Sequence, residues 1–110
     1  MNFDGRILDG LLSRLPDLDI VRVQDTEMYQ APDPQLLQWL ADEDRVLLTR
    51  DKRTIPDFVS ERLNKDDYVA GVVIVKNKIS IGTAIDELTF LIEVGEPEDF
   101  HYQVKYIPLE

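Results

Sequence analysis

Three aspartates stand where predicted strands end or where a predicted helix begins. Asp25 follows an apolar run at residues 20–23, Asp51 follows a second run at 45–49, and Asp33 opens a predicted helix. Ligands of open parallel sheets bind beyond the carboxyl ends of the strands, so we expect these carboxylates to converge at one edge. Oxygen ligands suit Mg²⁺ and Mn²⁺, and such ions activate water for phosphoryl displacement. The placement predicts a metal site.

The same residues also have purely structural explanations. Asp33 before Pro34 has the residue order of a helix N-cap, and Asp25 suits a polar loop. Asp51 is less easily explained in this way, because Thr54 could cap the next helix instead. The basic residues around Asp51 either contact substrate phosphate or balance the local acids. They are Arg50, Lys52 and Arg53.

Other catalytic groupings find little support. The chain has no cysteine, which excludes a disulfide framework, a thiol nucleophile and a thiolate zinc site. His101 is the only histidine and stands beside Phe100 and Tyr102, where an edge or surface position is expected. All five glycines are isolated, so there is no glycine-rich phosphate loop, and no Gly-x-Ser-x-Gly elbow exists.

The elements that must position these residues alternate between helix and strand. Apolar periodicity and helix-end signals predict helices over residues 3–15, from Asp33, over 56–64 with Thr54 and Asp57 as a capping box, and from a cap at Ser80 to Gly95. Apolar runs predict strands at residues 20–23, 45–49, 71–75 and 104–107. Such alternation indicates an α/β domain with a three-layer, mostly parallel sheet.

The two strands nearest the carboxyl end differ in pattern. Residues 71–75 are almost wholly apolar, which is typical of a central strand covered on both faces, so residues 72–75 should be deeply buried. Residues 104–107 alternate like an edge strand. Lys76 and Asn77 follow the central strand and should lie at the same edge as the three aspartates.

Composition sets limits on function. A length of 110 residues suits one domain, spanning residues 1–110. No apolar run approaches the length of a membrane span, and the acidic beginning of the chain is unlike a signal peptide, so we expect a cytoplasmic protein with no membrane partner. The net charge of −10 argues against a DNA-binding module; it is best explained as a solubilising surface and is also compatible with a basic protein partner.

The chain resembles a prokaryotic PIN-like family of unknown function that is often encoded beside small antitoxin-like proteins. The stretches that carry the resemblance are "NFDGRILDGLLSRLPDLDIVRVQD", "APDPQLLQWLADEDRVLLTRD", "IGTAIDEL" and "VKYIPL", which follow one another along essentially the whole chain. The run from Arg45 to Asp51, with Thr49 two residues before Asp51, is the most telling part.

The resemblance implies a Rossmann-like parallel sheet and a Mg²⁺ or Mn²⁺ site of separated acids. Asp51 falls where the family has the acid of its strand–Thr-x-Asp motif, and Asp33 falls where a second acid opens a helix. Asn2 matches the last residue of the family's opening Asp-Glu-Asn motif. The two acids before it, and the strand that carries them, are not in this sequence. We therefore expect a sheet that lacks its first strand and a metal site short of one carboxylate.

Two classes of function follow. The first is a metal-dependent endoribonuclease that acts on RNA as the toxin of a toxin–antitoxin pair, with Asp33 and Asp51 catalytic and Thr49, Arg50, Lys52, Arg53 and Asn2 binding substrate. The second is a non-catalytic PIN-like protein that works by binding a protein partner, which the missing acid and the negative charge favour. Small-molecule binding at the sheet edge has no motif in its support. An uncovered sheet edge would also favour a homo-oligomer or pairing with an antitoxin segment.

Overall fold

Three parallel strands form the sheet within the described residues. In the computed structural model, which describes residues 5–76 and 78–108, these are β1 (Leu47–Thr49), β2 (Val72–Val75) and β3 (Val104–Ile107). Their order is β1-β2-β3, with Leu47 opposite Val72 and Val72 opposite Val104. The parallel sheet, its central apolar strand and the edge position of β3 confirm the sequence predictions.

In the described part of the chain, four α-helices cover the sheet in two layers. They are α1 (Gly5–Arg14), α2 (Asp33–Glu43), α3 (Ile55–Asn64) and α4 (Ile81–Val94). Val72 and Ile74 pack with α2 and α3 in one core, whereas Val73 and Val75 pack with α1 and α4 in the other. Successive side chains of a strand point to opposite faces, so an all-apolar strand requires cover on both sides. Residues 72–75 are all at most 2% exposed, as predicted.

Helix ends follow the sequence signals in part. The hydroxyl oxygen of Ser80 accepts a hydrogen bond from the Thr83 N–H at 3.1 Å, which confirms the predicted cap of α4. Asp33 is the first residue of α2 rather than its cap, and Thr54 makes no side-chain cap bond to α3. The predicted capping by Asp33 and the capping box at Thr54 are therefore wrong, and both side chains have other partners.

The predicted strand at residues 20–23 does not form. Val23–Asp25 is a short 3₁₀ helix, and the preceding residues 20–22 belong to no strand. The backbone groups of this segment form local hydrogen bonds instead of pairing with a strand. The Asp25 N–H donates to the Arg22 carbonyl, and the Thr26 hydroxyl donates to the Val23 carbonyl. The apolar residues of the segment still pack inward, Ile20 against the α1–α4 core and Val23 against the α2–α3 core.

One side of β1 has no strand beside it among the described residues. The Leu47 N–H donates to the Gly71 carbonyl of the chain entering β2, and in a parallel ladder both backbone groups of a residue point the same way. The N–H and C=O of Leu48 therefore point away from β2. Within the described ranges, no helix has the length and apolarity needed to cross a membrane.

Candidate functional site

The loop that leaves β1 is built around Asp51. Its N–H donates to the hydroxyl oxygen of Thr49 at 3.1 Å, and its Oδ1 accepts from the N–H groups of Arg53 and Thr54, each at 2.9 Å. These bonds fold the loop back so that α3 begins directly after Thr54. The carboxylate of Asp51 consequently stands at the carboxyl edge of the sheet, which is where ligands of parallel sheets bind.

The hydroxyl of Thr54 joins two of the predicted site residues. It donates to Asp51 Oδ2 and also lies 3.4 Å from Asp33 Oδ2 at the first turn of α2. Two carboxylate oxygens that both lie within hydrogen-bonding distance of one hydroxyl oxygen are within about 7 Å of each other. The expected convergence of Asp33 and Asp51 is therefore present, although they are 18 positions apart in sequence and belong to different elements.

The surroundings of Asp51 favour its ionised form. The pKa of its carboxyl is lowered, first by the Thr54 hydroxyl and then by the Thr54 N–H, while burial acts in the opposite direction. The Arg53 N–H and the positive charge of Arg53 lower the pKa further. Hydrogen bonds to a carboxylate and a nearby cation both stabilise the charged state. Asp51 is thus a carboxylate over the neutral range, as a cation ligand must be.

Asp25 does not join this pair. Its Oδ2 accepts from the Arg22 Nε at 3.1 Å, within the 3₁₀ helix that replaced the predicted strand. Among the described residues, no group of three or more acidic or histidine side chains is arranged to hold a metal ion. Failure of the strand at 20–23 explains this difference, because Asp25 no longer follows a strand that ends at the carboxyl edge. Asn2 lies outside the described residues.

The predicted substrate-binding residues have unequal access to a ligand. Thr49 is only 4% exposed and its hydroxyl holds the Asp51 loop, so its position supports the site rather than contacting substrate. Lys52 and Arg53 are exposed and Arg50 is half-buried. In the part of the chain that the structure describes, none of these three basic side chains forms an ion pair. Their charges are therefore available to an anion near Asp51.

Sequence reasoning missed the role of Thr54 but placed Lys76 at this edge. The sequence pattern predicts a helix cap at Thr54, whereas its hydroxyl contacts both Asp33 and Asp51. Lys76 and Lys78 follow β2, and the Lys76 ammonium lies 5.8 Å from the centroid of the Tyr106 ring. An Asp-x-x-Thr spacing directly after a strand, as in Asp51 and Thr54, was the available signal for the link.

A second polar cluster lies at the opposite, amino-terminal edge of the sheet. The Tyr68 hydroxyl donates to Asp44 Oδ1 at 2.6 Å, and His101 Nε2 lies 3.9 Å from the same oxygen. The Tyr68 ring makes edge contacts with the rings of His101 and Tyr102. These residues precede the three strands, so the cluster links the starts of the strands, and His101 lies at the edge opposite Asp33 and Asp51.

The donor set at the carboxyl edge fits a hard divalent cation. Asp33, Asp51 and Thr54 supply only oxygen atoms, and Mg²⁺ is commonly held by one or two carboxylates while water and substrate phosphate complete its shell. The side chains of both acids are partly exposed, so such waters have room.

The chain matches no protein-family model, no curated protein and no solved structure. Membership of a PIN-like family therefore stays a prediction from the sequence.

Proposed function

We propose that this protein is a PIN-like, Mg²⁺- or Mn²⁺-dependent endoribonuclease and the toxin component of a toxin–antitoxin pair. The observation that carries the proposal is the approach of the Asp33 and Asp51 carboxylates to one hydroxyl, that of Thr54, at the carboxyl edge of a parallel sheet. Asp51 also shapes the turn into α3 through the N–H groups of Arg53 and Thr54, but this local role uses its Oδ1 and does not account for the approach of Asp33 from the first turn of α2.

The residues of the chain have distinct tasks in this proposal. Asp33 and Asp51 hold the cation, and Thr54 keeps the two carboxylates in place. Arg50, Lys52 and Arg53 attract the phosphate of the RNA backbone, since they carry positive charge beside Asp51. A bound Mg²⁺ or Mn²⁺ supplies the Lewis acidity that activates water and offsets the charge developing on the phosphate.

The alternative function is that of a non-catalytic PIN-like protein which acts by binding a protein partner. The observation in its favour is that Asp33 and Asp51 have no third carboxylate beside them within the described residues. The net charge of −10 supports the same alternative, because it weakens long-range attraction of RNA and suits a basic partner such as an antitoxin segment. The two functions differ in whether RNA is cut.

Cleavage of a fluorescently labelled single-stranded RNA tests the proposal. The wild type should cut the RNA with Mn²⁺ or Mg²⁺ and lose this activity with a chelator. Asp51→Asn and Asp33→Asn should each reduce the rate by at least about a hundredfold, since removal of one group that stabilises transition-state charge has effects of this size. Asp57→Asn is the matched control, because Asp57 is an exposed acid in the first turn of α3 outside the pair.

Three outcomes separate the possibilities. Loss of cutting in the two site variants with full activity in Asp57→Asn supports the nuclease. Equal rates for the wild type and Asp51→Asn would trace the cutting to a contaminant and overturn it. Absence of cutting by the wild type, together with binding of an antitoxin-like basic protein, would establish the non-catalytic alternative.

A further inference from the structure

Tyr29 is the most exposed tyrosine of the chain and stands close to the acid pair. Its exposed fraction is 60%, and it precedes Asp33 by four residues. Four residues of chain span at most about 14 Å, so the backbones of Tyr29 and Asp33 are separated by a distance that one or two nucleotides of RNA can span. The loop that carries it leads directly into α2 at the carboxyl edge of the sheet.

The loop around Tyr29 is well fixed. The Thr26 hydroxyl donates to the Val23 carbonyl at 2.7 Å and accepts from the Met28 N–H at 3.1 Å. Glu27 accepts a hydrogen bond from the Trp39 indole N–H at 3.1 Å, and Met28 packs against the α2–α3 core. The residues before Tyr29 are thus anchored inward while the Tyr29 side chain remains in solvent.

The other three tyrosines differ from Tyr29 in having ring partners. Tyr68 contacts the rings of His101 and Tyr102, and Tyr106 lies beneath the Lys76 ammonium. Tyr29 has no such aromatic or cationic partner within the described part of the chain. A planar ring on a fixed loop, open to solvent and four residues before Asp33, has the properties of a stacking surface for an unpaired base.

We infer that Tyr29 stacks on an unpaired base of the RNA next to the phosphate held at Asp33 and Asp51, an inference that rests on the proposed function. The negative charge of the chain makes this stacking contact more important for RNA affinity. With a net charge of −10, long-range attraction of a polyanion is weak, so affinity has to come from contacts made at short range. Stacking is such a contact, and it selects single strands because the bases of a duplex are covered by their neighbours.

Fluorescence anisotropy with a short labelled single-stranded RNA tests the inference, with Ca²⁺ replacing Mg²⁺ to slow cleavage. Tyr29→Ala should weaken binding about tenfold, in line with the value of one stacked base, and Tyr29→Phe should bind as the wild type does. An abasic oligonucleotide of the same length should bind the wild type and Tyr29→Ala equally. Tyr102→Ala is the matched control, because Tyr102 is 50% exposed and precedes β3, at the opposite edge of the sheet.

The outcomes distinguish this inference from the proposed function. If the wild type cuts RNA and Tyr29→Ala binds RNA as tightly as the wild type, the stacking role is wrong and the nuclease stands. An equal loss on the abasic oligonucleotide would also overturn stacking, since that ligand has no base to stack. If the wild type neither binds nor cuts RNA, the inference and the proposed function fall together.

Discussion

At the scale of single residues, Thr54 shows how one hydroxyl can decide the shape of a site. Asp33 and Asp51 would repel each other as two bare carboxylates, and the Thr54 hydroxyl, which donates to Asp51 Oδ2, also lies 3.4 Å from Asp33 Oδ2. Asp51 could be picked out from the sequence because it directly follows a predicted strand. The link by Thr54 could not, because it depends on where α2 begins in space, and Asp33 is 21 positions away from Thr54.

Thr54→Val should raise the pKa of the Asp51 carboxyl, because the Thr54 hydroxyl is the largest cause of its lowering. A lowered carboxyl pKa stabilises the fold at pH values above the unfolded value, and this contribution is lost as the pH falls through the folded value. The wild type should therefore lose more stability on acidification than Thr54→Val does. NMR titration of the side-chain carboxyl carbon measures the pKa, with Thr54→Ser as the control that keeps the hydroxyl. An unchanged pKa in Thr54→Val would show that the backbone N–H groups of Arg53 and Thr54 set it alone.

At the scale of elements, the starts of the strands are held by close packing at the amino-terminal edge. Gly71 enters β2 with a φ of +135°, and a Cβ placed there would lie 2.6 Å from the backbone oxygen of Phe100. Both the dihedral angle and the contact require glycine, since side chains rarely tolerate this conformation and a backbone atom cannot easily move aside.

Gly71→Ala should lower the free energy of unfolding by about 1–3 kcal/mol from the backbone conformation alone, and by more once the contact with Phe100 is included. Gly82→Ala is the control, because a Cβ at Gly82 in α4 meets nothing within 4 Å and alanine favours a helix. Urea unfolding of both variants provides the comparison. Equal stability of Gly71→Ala and the wild type would show that Gly71 has neither the positive φ nor the close contact with the Phe100 backbone.

Tyr68 provides a spectroscopic test of the same edge. The hydrogen bond to Asp44 is the main cause that raises the pKa of Tyr68 to about 12. A raised pKa means that this interaction stabilises the fold at pH values below the ordinary tyrosine pKa and is lost as the pH rises through about 12. In an absorbance titration of the tyrosinates, one tyrosine should titrate late in the wild type, and Asp44→Asn should titrate earlier. Identical curves would argue against the Tyr68–Asp44 contact.

The elements also show what could be predicted from the sequence. The run at 71–75 was recognisable as a central strand because every residue is apolar, and Ser80 was recognisable as a cap from its position before a periodic segment. The run at 20–23 has the same β-rich composition, yet composition does not supply a neighbouring strand to pair with. Without hydrogen bonds to a neighbouring strand, the backbone groups near Val23 bond locally. The Asp25 carboxylate then pairs with Arg22 rather than with the site residues.

At the scale of the whole molecule, the outer side of β1, which has no strand beside it among residues 5–76 and 78–108, is a place where association is expected. The backbone groups of Leu48 point away from β2, and Val46 beside it is 42% exposed. Exposed strand edges recruit other strands, and exchange between identical protomers is a common way to satisfy them. If the protein forms a homo-oligomer, we therefore expect the outer side of β1 to be part of the interface.

Val46→Lys should shift the chain toward monomer, because a charge on an edge strand hinders strand pairing. Val94→Lys adds the same charge to an exposed position on α4 and should leave the assembly unchanged. Light scattering at micromolar concentration, at low and at moderate salt, measures the mass. A monomeric wild type under all these conditions would show that the outer side of β1 does not drive association.

We propose that Asp33 and Asp51 together hold a divalent cation, and titration calorimetry with Mn²⁺ measures this binding. The wild type should bind Mn²⁺ measurably, Asp33→Asn and Asp51→Asn should each lose at least about tenfold in affinity, and the matched control Asp57→Asn should be unchanged. The double variant should bind little more weakly than either single variant, because the two acids serve one ion. Binding by Asp33→Asn and Asp51→Asn with the affinity of the wild type would contradict the shared site.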